Sequence, residues 1–210
     1  MHAETLAKQE VETNAKLHLF SLYVDFEAAI CTRWAIGTIT KRVGLHWKTS
    51  SEMWALDFLQ TNQPLRRMML QGAADADVLI IALSSLAQRE SKLIEWLDAL
   101  ANQKAERSDS GLFIGLLGDE DQEAGELEWT VKHFIRCAQK MGRDFIWQWM
   151  GREAINDPAW LTDNVEKFLS RKQCLSNMAW LQETTANVGQ LPEAVWLAAN
   201  HLPTTGPAAL

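Results

Sequence analysis

An unbroken apolar run in the middle of the chain constrains the fold more than any other feature. Residues 77–85 read D-V-L-I-I-A-L-S-S, so an acidic residue precedes a block of aliphatic residues and two serines follow it. A run of this kind is typical of a strand that is buried on both faces of a parallel sheet. Because α/β proteins often place their functional sites at the carboxyl ends of such strands, the run also predicts where a site would lie.

Similar runs alternate with amphipathic segments along the chain. Strands are predicted at residues 17–26, 53–59, 77–85, 111–118 and 144–150, with an extension of the second strand over 46–51 left open. Helices are predicted at residues 27–43, 64–76, 85–103 and 119–141. This alternation predicts an α/β fold, a three-layer α/β/α sandwich around a five-stranded parallel sheet in the flavodoxin-like order 2-1-3-4-5.

The predicted organisation has three parts. Residues 1–15 form a polar leader, residues 16–150 form the α/β domain, and residues 151–210 form a helical tail with a disordered end. Within the first helix, apolar residues at helical spacing predict an inward face. That face comprises Ala29, Ile36, Ile39 and Val43. In the tail, helices are predicted around residues 158–169, 172–185 and 191–199.

Composition excludes several classes of protein. A net charge of −7 argues against general nucleic-acid binding, which needs a basic surface. No apolar run approaches the length of a membrane-spanning helix, and the polar amino terminus lacks a signal sequence, so we expect a cytoplasmic protein without a membrane partner. Cys31, Cys137 and Cys174 are widely separated and form no metal-binding or redox motif. We therefore expect three reduced core residues and no metal site.

Motifs for common cofactors are also missing. Neither a glycine-rich dinucleotide motif nor a P-loop occurs in the sequence, so no cofactor is predicted. The five histidines show no H-x-x-x-H pair. His133 is predicted to be a partly buried residue of the fourth helix, beside its apolar stripe.

The run D-V-L-I-I-A at residues 77–82 resembles the third strand of response-regulator receiver domains. In that family the run ends in the phosphoacceptor aspartate, and the matching position here is Ala82, which has no carboxylate. The family also has an acidic pair after the first strand, where this chain has Asp25 and Glu27. It has a lysine at the end of the fifth strand, where this chain has Gln148. The resemblance implies a receiver-like domain that lacks phosphoryl transfer.

The predicted strand order places one set of polar residues around a single crevice. Asp25 follows the first strand, and Ser84 and Ser85 follow the third. Asp25 would be a general base or a ligand for ribose hydroxyls, or it would cap the next helix. The serines would bind a phosphate or carboxylate through helix N–H groups, or serve as a plain cap. Asp119 lies in the acidic run at residues 118–123 after the fourth strand, which would cap the next helix or bind a divalent cation such as Mg²⁺.

The fifth strand suggests an interface. Trp147 and Trp149 alternate along it and therefore share a face. Because this strand is predicted at the edge of the sheet, we expect a protein partner, a second copy of the chain or the C-terminal tail to cover it.

Two functional hypotheses follow. The first is a non-catalytic receiver-like signalling or protein-interaction module, which is favoured by the missing phosphoacceptor and the missing catalytic motifs. The alternative is an enzyme that binds a nucleotide or other anionic ligand at the point where the strand order reverses. Asp25, Ser84, Ser85 and Asp119 would line its site.

Overall fold

Five parallel strands form one sheet in the order β2-β1-β3-β4-β5, as the sequence predicts. The computed structural model describes residues 15–44, 46–58, 62–84, 91–103, 111–118, 124–150 and 158–188, without the side chains of residues 91, 124–126 and 175–188. The strands are β1 (Lys16–Tyr23), β2 (Lys48–Ala55), β3 (Val78–Leu83), β4 (Gly111–Leu117) and β5 (Arg143–Trp149). The topology is therefore the flavodoxin-like one.

Helices connect the strands and follow the last one. They are α1 (Phe26–Val43), α2 (Gln63–Asp75), α3 (Ser91–Asn102), α4 (Ala124–Lys140) and α5 (Ala159–Val188). In place of the two separate helices predicted over residues 158–169 and 172–185, the chain forms the single helix α5. The third predicted tail helix, over 191–199, lies outside the described residues.

The run at residues 77–85 lies at the centre of the sheet. Every residue of β3 is buried, and β3 pairs with β1 on one side and β4 on the other. One face of the sheet shares a core cluster with α2, α3 and α4, which includes Trp96 stacked on Phe20 and Phe113 stacked on Phe134. Helix α1 lies against β1 and β3 without contributing to that cluster, which is the arrangement of a helix on the opposite face.

Two predicted details differ from the structure. Strand β2 begins at Lys48, within the extension over residues 46–51 that the sequence left open, and it ends at Ala55 rather than at residue 59. On α1, Ala29 and Ile36 are only half-buried, whereas Ile39 and Val43 are buried as predicted. The rest of the buried stripe comprises Ala28, Cys31, Thr32 and Ala35, small side chains that let the helix lie close to the sheet.

Asp77, which precedes β3, forms hydrogen bonds to the amino-terminal parts of both neighbouring strands. Its side chain accepts a hydrogen bond of 2.7 Å from the backbone N–H of His18 in β1. Its own N–H donates to the His18 carbonyl at 2.9 Å, and its carbonyl accepts from the N–H of Leu112 in β4 at 2.9 Å. The acidic residue before the run thus aligns β3 with both neighbours.

The described residues divide after Phe168 into two compact units, with a boundary inside α5. The first unit contains the sheet, α1 to α4 and the start of α5, where Leu161, Val165 and Phe168 are buried. Arg42 of α1 forms an ion pair with Glu166 within this unit. Over the described part of the chain, no helix is both long and apolar enough to cross a bilayer.

Candidate functional site

The carboxyl ends of the central strands meet at one edge of the sheet. Hydrogen bonding continues one residue past β1 and β4, because the Val24 N–H donates to the Ala82 carbonyl at 3.3 Å and the Gly118 N–H donates to the Leu83 carbonyl at 2.5 Å. The Met150 N–H donates to Gly118 at 3.1 Å. This ladder brings the residues that follow β1, β3, β4 and β5 to a common edge. The order of the sheet reverses there, between β1 and β3.

Asp25 and Ser84 are in contact at this point of reversal. One oxygen of the Asp25 carboxylate accepts from the Ala28 N–H at 2.9 Å, which makes Asp25 the N-cap of α1. The other oxygen accepts a hydrogen bond from the Ser84 hydroxyl. Both side chains are half-buried. The carboxylate is therefore held in a fixed orientation by the helix on one side and by the end of β3 on the other.

These contacts bear directly on the sequence predictions. The structure brings Asp25 and Ser84 together, whereas Ser85 and Asp119 lie outside the described residues. Asp25 does cap α1, which is one of the two interpretations that the sequence left open. A role for the four residues in ligand binding stays a prediction.

An exposed apolar pair begins α1 beside this carboxylate. Phe26 is 78% exposed and Ile30 is 48% exposed, and the two are four residues apart, so they lie on the same side of the helix. Burying either side chain would be favourable, and an aromatic ring this open offers a flat surface for stacking. The pair therefore forms an apolar ledge, Phe26 and Ile30, next to the polar contact between Asp25 and Ser84.

The electrostatics on the α1 side of the edge are acidic. Cys31, one turn along the helix from Glu27, is buried and lies 3.7 Å from the carbonyl oxygen of Met150. Burial raises the pKa of the Cys31 thiol, and the carboxylates of Glu27 and Asp25 raise it further. Because thiolate rather than thiol is the reactive form, Cys31 is poorly suited to act as a nucleophile.

Gln148 adds a polar group near the end of β5. Its side-chain carbonyl oxygen is buried and has no hydrogen-bond partner among the described residues. Gln148 lies opposite Leu116 in the neighbouring strand, one residue before the last pair of the ladder. A buried acceptor without a partner is costly, so a donor from a ligand or from another part of the chain would be stabilising there.

Trp147 and Trp149 lie on the edge strand predicted for them. Both are half-buried, and their rings pack edge to face with centroids 5.6 Å apart. Trp147 also packs against the main core cluster. The predicted interface through this edge stays a prediction.

Sequence reasoning missed a second group of polar residues, between α3 and α4. Asp98, His133 and Cys137 place a carboxylate oxygen, an imidazole nitrogen and a thiol sulfur within 4.8 Å of one another. The signal in the sequence is the spacing of His133 and Cys137, which are four residues apart on one helix and form neither a histidine pair nor a cysteine pair. His133 is buried rather than partly buried, and Cys174 is exposed rather than in the core.

Comparisons with known proteins give structural likeness only. No protein-family model matches the chain, and no curated protein matches it. An NADH:FMN oxidoreductase in its apo form matches at 12% identity and a TM-score of 0.49, over 72% of this chain and 88% of that one. An NAD(P)H:quinone oxidoreductase from Methanothermobacter marburgensis matches at 12% identity and 0.44, over 73% and 97%. An azoreductase from Bacillus anthracis matches at 7% identity and 0.42, over 70% and 94%.

These matches correct the first functional hypothesis. The prediction of a non-catalytic receiver-like signalling module is wrong: the three structures named above are oxidoreductases, and none of the three is a receiver domain. With identities of 7% to 12% and TM-scores from 0.42 to 0.49, the likeness concerns the fold and assigns no activity to this chain.

Proposed function

We propose that this chain is a small-ligand-binding enzyme that holds a nucleotide-type ligand at the carboxyl edge of the sheet, between β1 and β3. The observation that carries the proposal is the contact between Asp25 and Ser84 at the reversal of strand order, directly beside the exposed ledge of Phe26 and Ile30. A flat apolar surface next to fixed polar groups is the usual composition of a site that binds a ring attached to a sugar.

Each side of this edge suits a different part of such a ligand. The ring of Phe26 would stack on a planar heterocycle, an interaction that contributes about 1–3 kcal/mol per base in nucleic-acid complexes. Asp25 would accept hydrogen bonds from hydroxyl groups of the sugar, because its carboxylate is already oriented by Ala28 and Ser84. The carboxylates of Asp25 and Glu27 repel a phosphate, so the phosphate of such a ligand would lie away from both.

The buried side-chain oxygen of Gln148 supports a ligand site at the same edge of the sheet. It is an acceptor without a partner among the described residues, and it lies near the end of β5 on the same edge of the sheet. A ligand that carries N–H or O–H groups would satisfy it. A ligand without donors would leave it unpaired, so we expect nucleotide-type ligands to bind more tightly than simple inorganic anions.

Thermal denaturation with a panel of nucleotides tests the proposal. FMN, NADH and NADPH are suitable first probes because the similar structures are named for flavin and nicotinamide nucleotides, and ATP and inorganic phosphate complete the panel. A ligand at a hundredfold excess over its Kd is expected to raise the Tm by roughly 5–10 °C.

A matched pair of variants locates the binding. Phe26→Ala removes the exposed ring and is expected to weaken binding about tenfold or more, through lost stacking. Met68→Ala removes a side chain of α2 that is similarly exposed, and it is expected to leave binding unchanged. A panel in which no nucleotide shifts the Tm, or a shift that survives Phe26→Ala and Ser84→Ala together, would rule the proposal out.

A further inference from the structure

Three side chains of different chemistry converge between α3 and α4. Asp98 lies on α3, and His133 and Cys137 lie one turn apart on α4. The imidazole Nε2 of His133 lies 3.6 Å from the Cys137 Sγ and 3.7 Å from an Asp98 carboxylate oxygen, and the sulfur lies 3.8 Å from that same oxygen. The three donor atoms thus form a nearly equilateral triangle.

The Cys137 thiol donates a long hydrogen bond of 3.8 Å to Asp98, whereas His133 and Asp98 are too far apart for a strong one. An N–H···O bond is normally about 2.7–3.2 Å long, and the His133 to Asp98 distance exceeds that range by about half an ångström. Direct hydrogen bonding within the cluster is therefore weak.

The same distances fit a shared metal ion. The point equidistant from the corners of such a triangle lies about 2.1 Å from each corner, because that distance is the side divided by the square root of three. Zinc lies about 2.0–2.2 Å from nitrogen and oxygen ligands and about 2.3 Å from sulfur ligands. A zinc ion slightly out of the plane of the three atoms would bind all of them with little movement of the backbone.

A nucleophilic Cys-His-Asp relay is a poorer explanation. In such a relay the carboxylate contacts one imidazole nitrogen and the thiol contacts the other. Here both Asp98 and Cys137 approach the same nitrogen, Nε2 of His133. Cys137 is also 1% exposed, so a substrate would have no direct access to its sulfur. One nitrogen that faces both a carboxylate oxygen and a sulfur places three potential metal ligands around a single point.

An aromatic neighbour on the same helix holds the imidazole of the cluster in place. The Trp129 ring stacks parallel to the His133 ring, with centroids 5.3 Å apart, and this contact fixes the orientation of the imidazole. His133 and Cys137 are both buried, and Asp98 is the exposed member of the cluster.

We infer that Asp98, His133 and Cys137 form a binding site for a zinc-class divalent cation, with three protein ligands and a fourth position left for water. The side chain of Asp98 is 47% exposed, so an ion can enter from solvent on that side, whereas His133 and Cys137 supply the buried side. The mixed carboxylate, imidazole and thiolate donors suit Zn²⁺ rather than Mg²⁺ or Ca²⁺, which prefer oxygen ligands. Three protein ligands with one open position are the pattern of reactive rather than purely structural zinc sites.

Zinc binding to the full-length protein provides the first test. The protein is stripped with a chelator, mixed with Zn²⁺, passed through a desalting column and analysed for metal content and Tm. The expected result is one tightly bound zinc ion per chain and a rise in Tm of roughly 5 °C or more at a hundredfold excess over Kd. Absence of retained zinc together with an unchanged Tm would overturn the proposal.

Variants identify the ligands. Cys137→Ser and Asp98→Asn are each expected to weaken zinc binding by about tenfold or more, because each removes a side chain that binds the ion directly. Even the loss of a residue that only hydrogen-bonds to a metal ligand typically lowers metal affinity about 10- to 100-fold. Because Asp98 is half exposed, Asp98→Asn should fold normally, so its result stands even if Cys137→Ser is unstable. Cys174→Ser changes an exposed cysteine outside the cluster and is expected to bind zinc like the wild type.

Cobalt gives a direct spectroscopic readout. The Co²⁺-loaded wild type is expected to show a thiolate-to-cobalt absorption band that is lost in Cys137→Ser and retained in Cys174→Ser. Loss of the band in Cys174→Ser, or zinc affinity unchanged in both Cys137→Ser and Asp98→Asn, would place the ion elsewhere and contradict the proposal.

Discussion

The carboxylate at the carboxyl edge of the sheet and the carboxylate in the cluster between α3 and α4 differ in how well their oxygens are hydrogen-bonded. At the edge, both oxygens of Asp25 already accept hydrogen bonds, from Ala28 and from Ser84. In the cluster, Asp98 lies 3.7 Å or more from both partners. The Asp25 carboxylate therefore stabilises the protein when no ligand is bound. The Asp98 carboxylate stabilises little until a cation joins it to His133 and Cys137.

This difference implies that the two regions respond differently to substitution and to ligands. Changes at the edge should lower the stability of the free protein, because satisfied hydrogen bonds are lost. Substitutions in the cluster should lower stability mainly when zinc is present, because zinc that binds the native state stabilises it by mass action.

Asp25→Ala should have the largest effect on the free protein. Loss of the N-cap of α1 and of the acceptor for Ser84 is expected to lower the free energy of unfolding by about 2 kcal/mol, as measured by urea denaturation. Asn62→Ala is the matched control, because Asn62 caps α2 through a longer bond of 3.4 Å and its loss should cost less. An equal or greater loss in Asn62→Ala would contradict the central structural role given to Asp25.

Zinc should protect one buried cysteine and not the other. Cys31 and Cys137 are both buried and their thiol pKa values are both raised by burial, so both are expected to react slowly with iodoacetamide when the protein is folded. Zinc is expected to slow the alkylation of Cys137 a further tenfold or more, about 1.4 kcal/mol, and to leave Cys31 unchanged. Mass spectrometry of the labelled peptides measures both rates, and equal protection of the two would argue against a site in the cluster.

Ser84→Ala should have a smaller effect that depends on Asp25. Loss of one partly buried hydrogen bond is expected to cost about 1 kcal/mol in the wild type. The same substitution in the Asp25→Ala background is expected to cost much less, because its acceptor is already gone. A double-mutant cycle with no coupling would show that the contact contributes nothing to stability.

Asp98→Ala should have the smallest effect on the metal-free protein. Its half-exposed side chain makes only long contacts, so the change in the free energy of unfolding is expected to stay within about 0.5 kcal/mol. In saturating zinc the same variant should lose most of the metal-dependent gain in Tm. A large loss without zinc would mean that Asp98 already stabilises the free protein.

The two regions also differ in how far the sequence predicts them. Alternating apolar runs fix a parallel sheet, and its strand order brings Asp25 and Ser84 together from positions far apart in the chain. The details of α1 were less predictable, because the helix buries Ala28 and Ala35 rather than the larger Ile36. Close packing against the sheet, and not hydrophobicity alone, decides which side of that helix faces inward.

The cluster was predictable only in part. The four-residue spacing of His133 and Cys137 places them on one side of a helix, which sequence alone can indicate. The contribution of Asp98 depends on how α3 packs beside α4, and the polar pattern of α3 does not determine that packing. Side chains that meet between helices are therefore harder to predict than residues that follow neighbouring parallel strands.

Nuclear magnetic resonance titration of the labelled protein tests the contrast between the two regions most directly. We predict that Zn²⁺ shifts the amide resonances around Asp98, His133 and Cys137, and that the nucleotide with the largest thermal shift moves those around Asp25, Phe26 and Ser84. Shifts from both ligands in the same region, or zinc shifts confined to residues outside α3 and α4, would contradict the assignment of a metal site to the helices and a nucleotide site to the edge of the sheet.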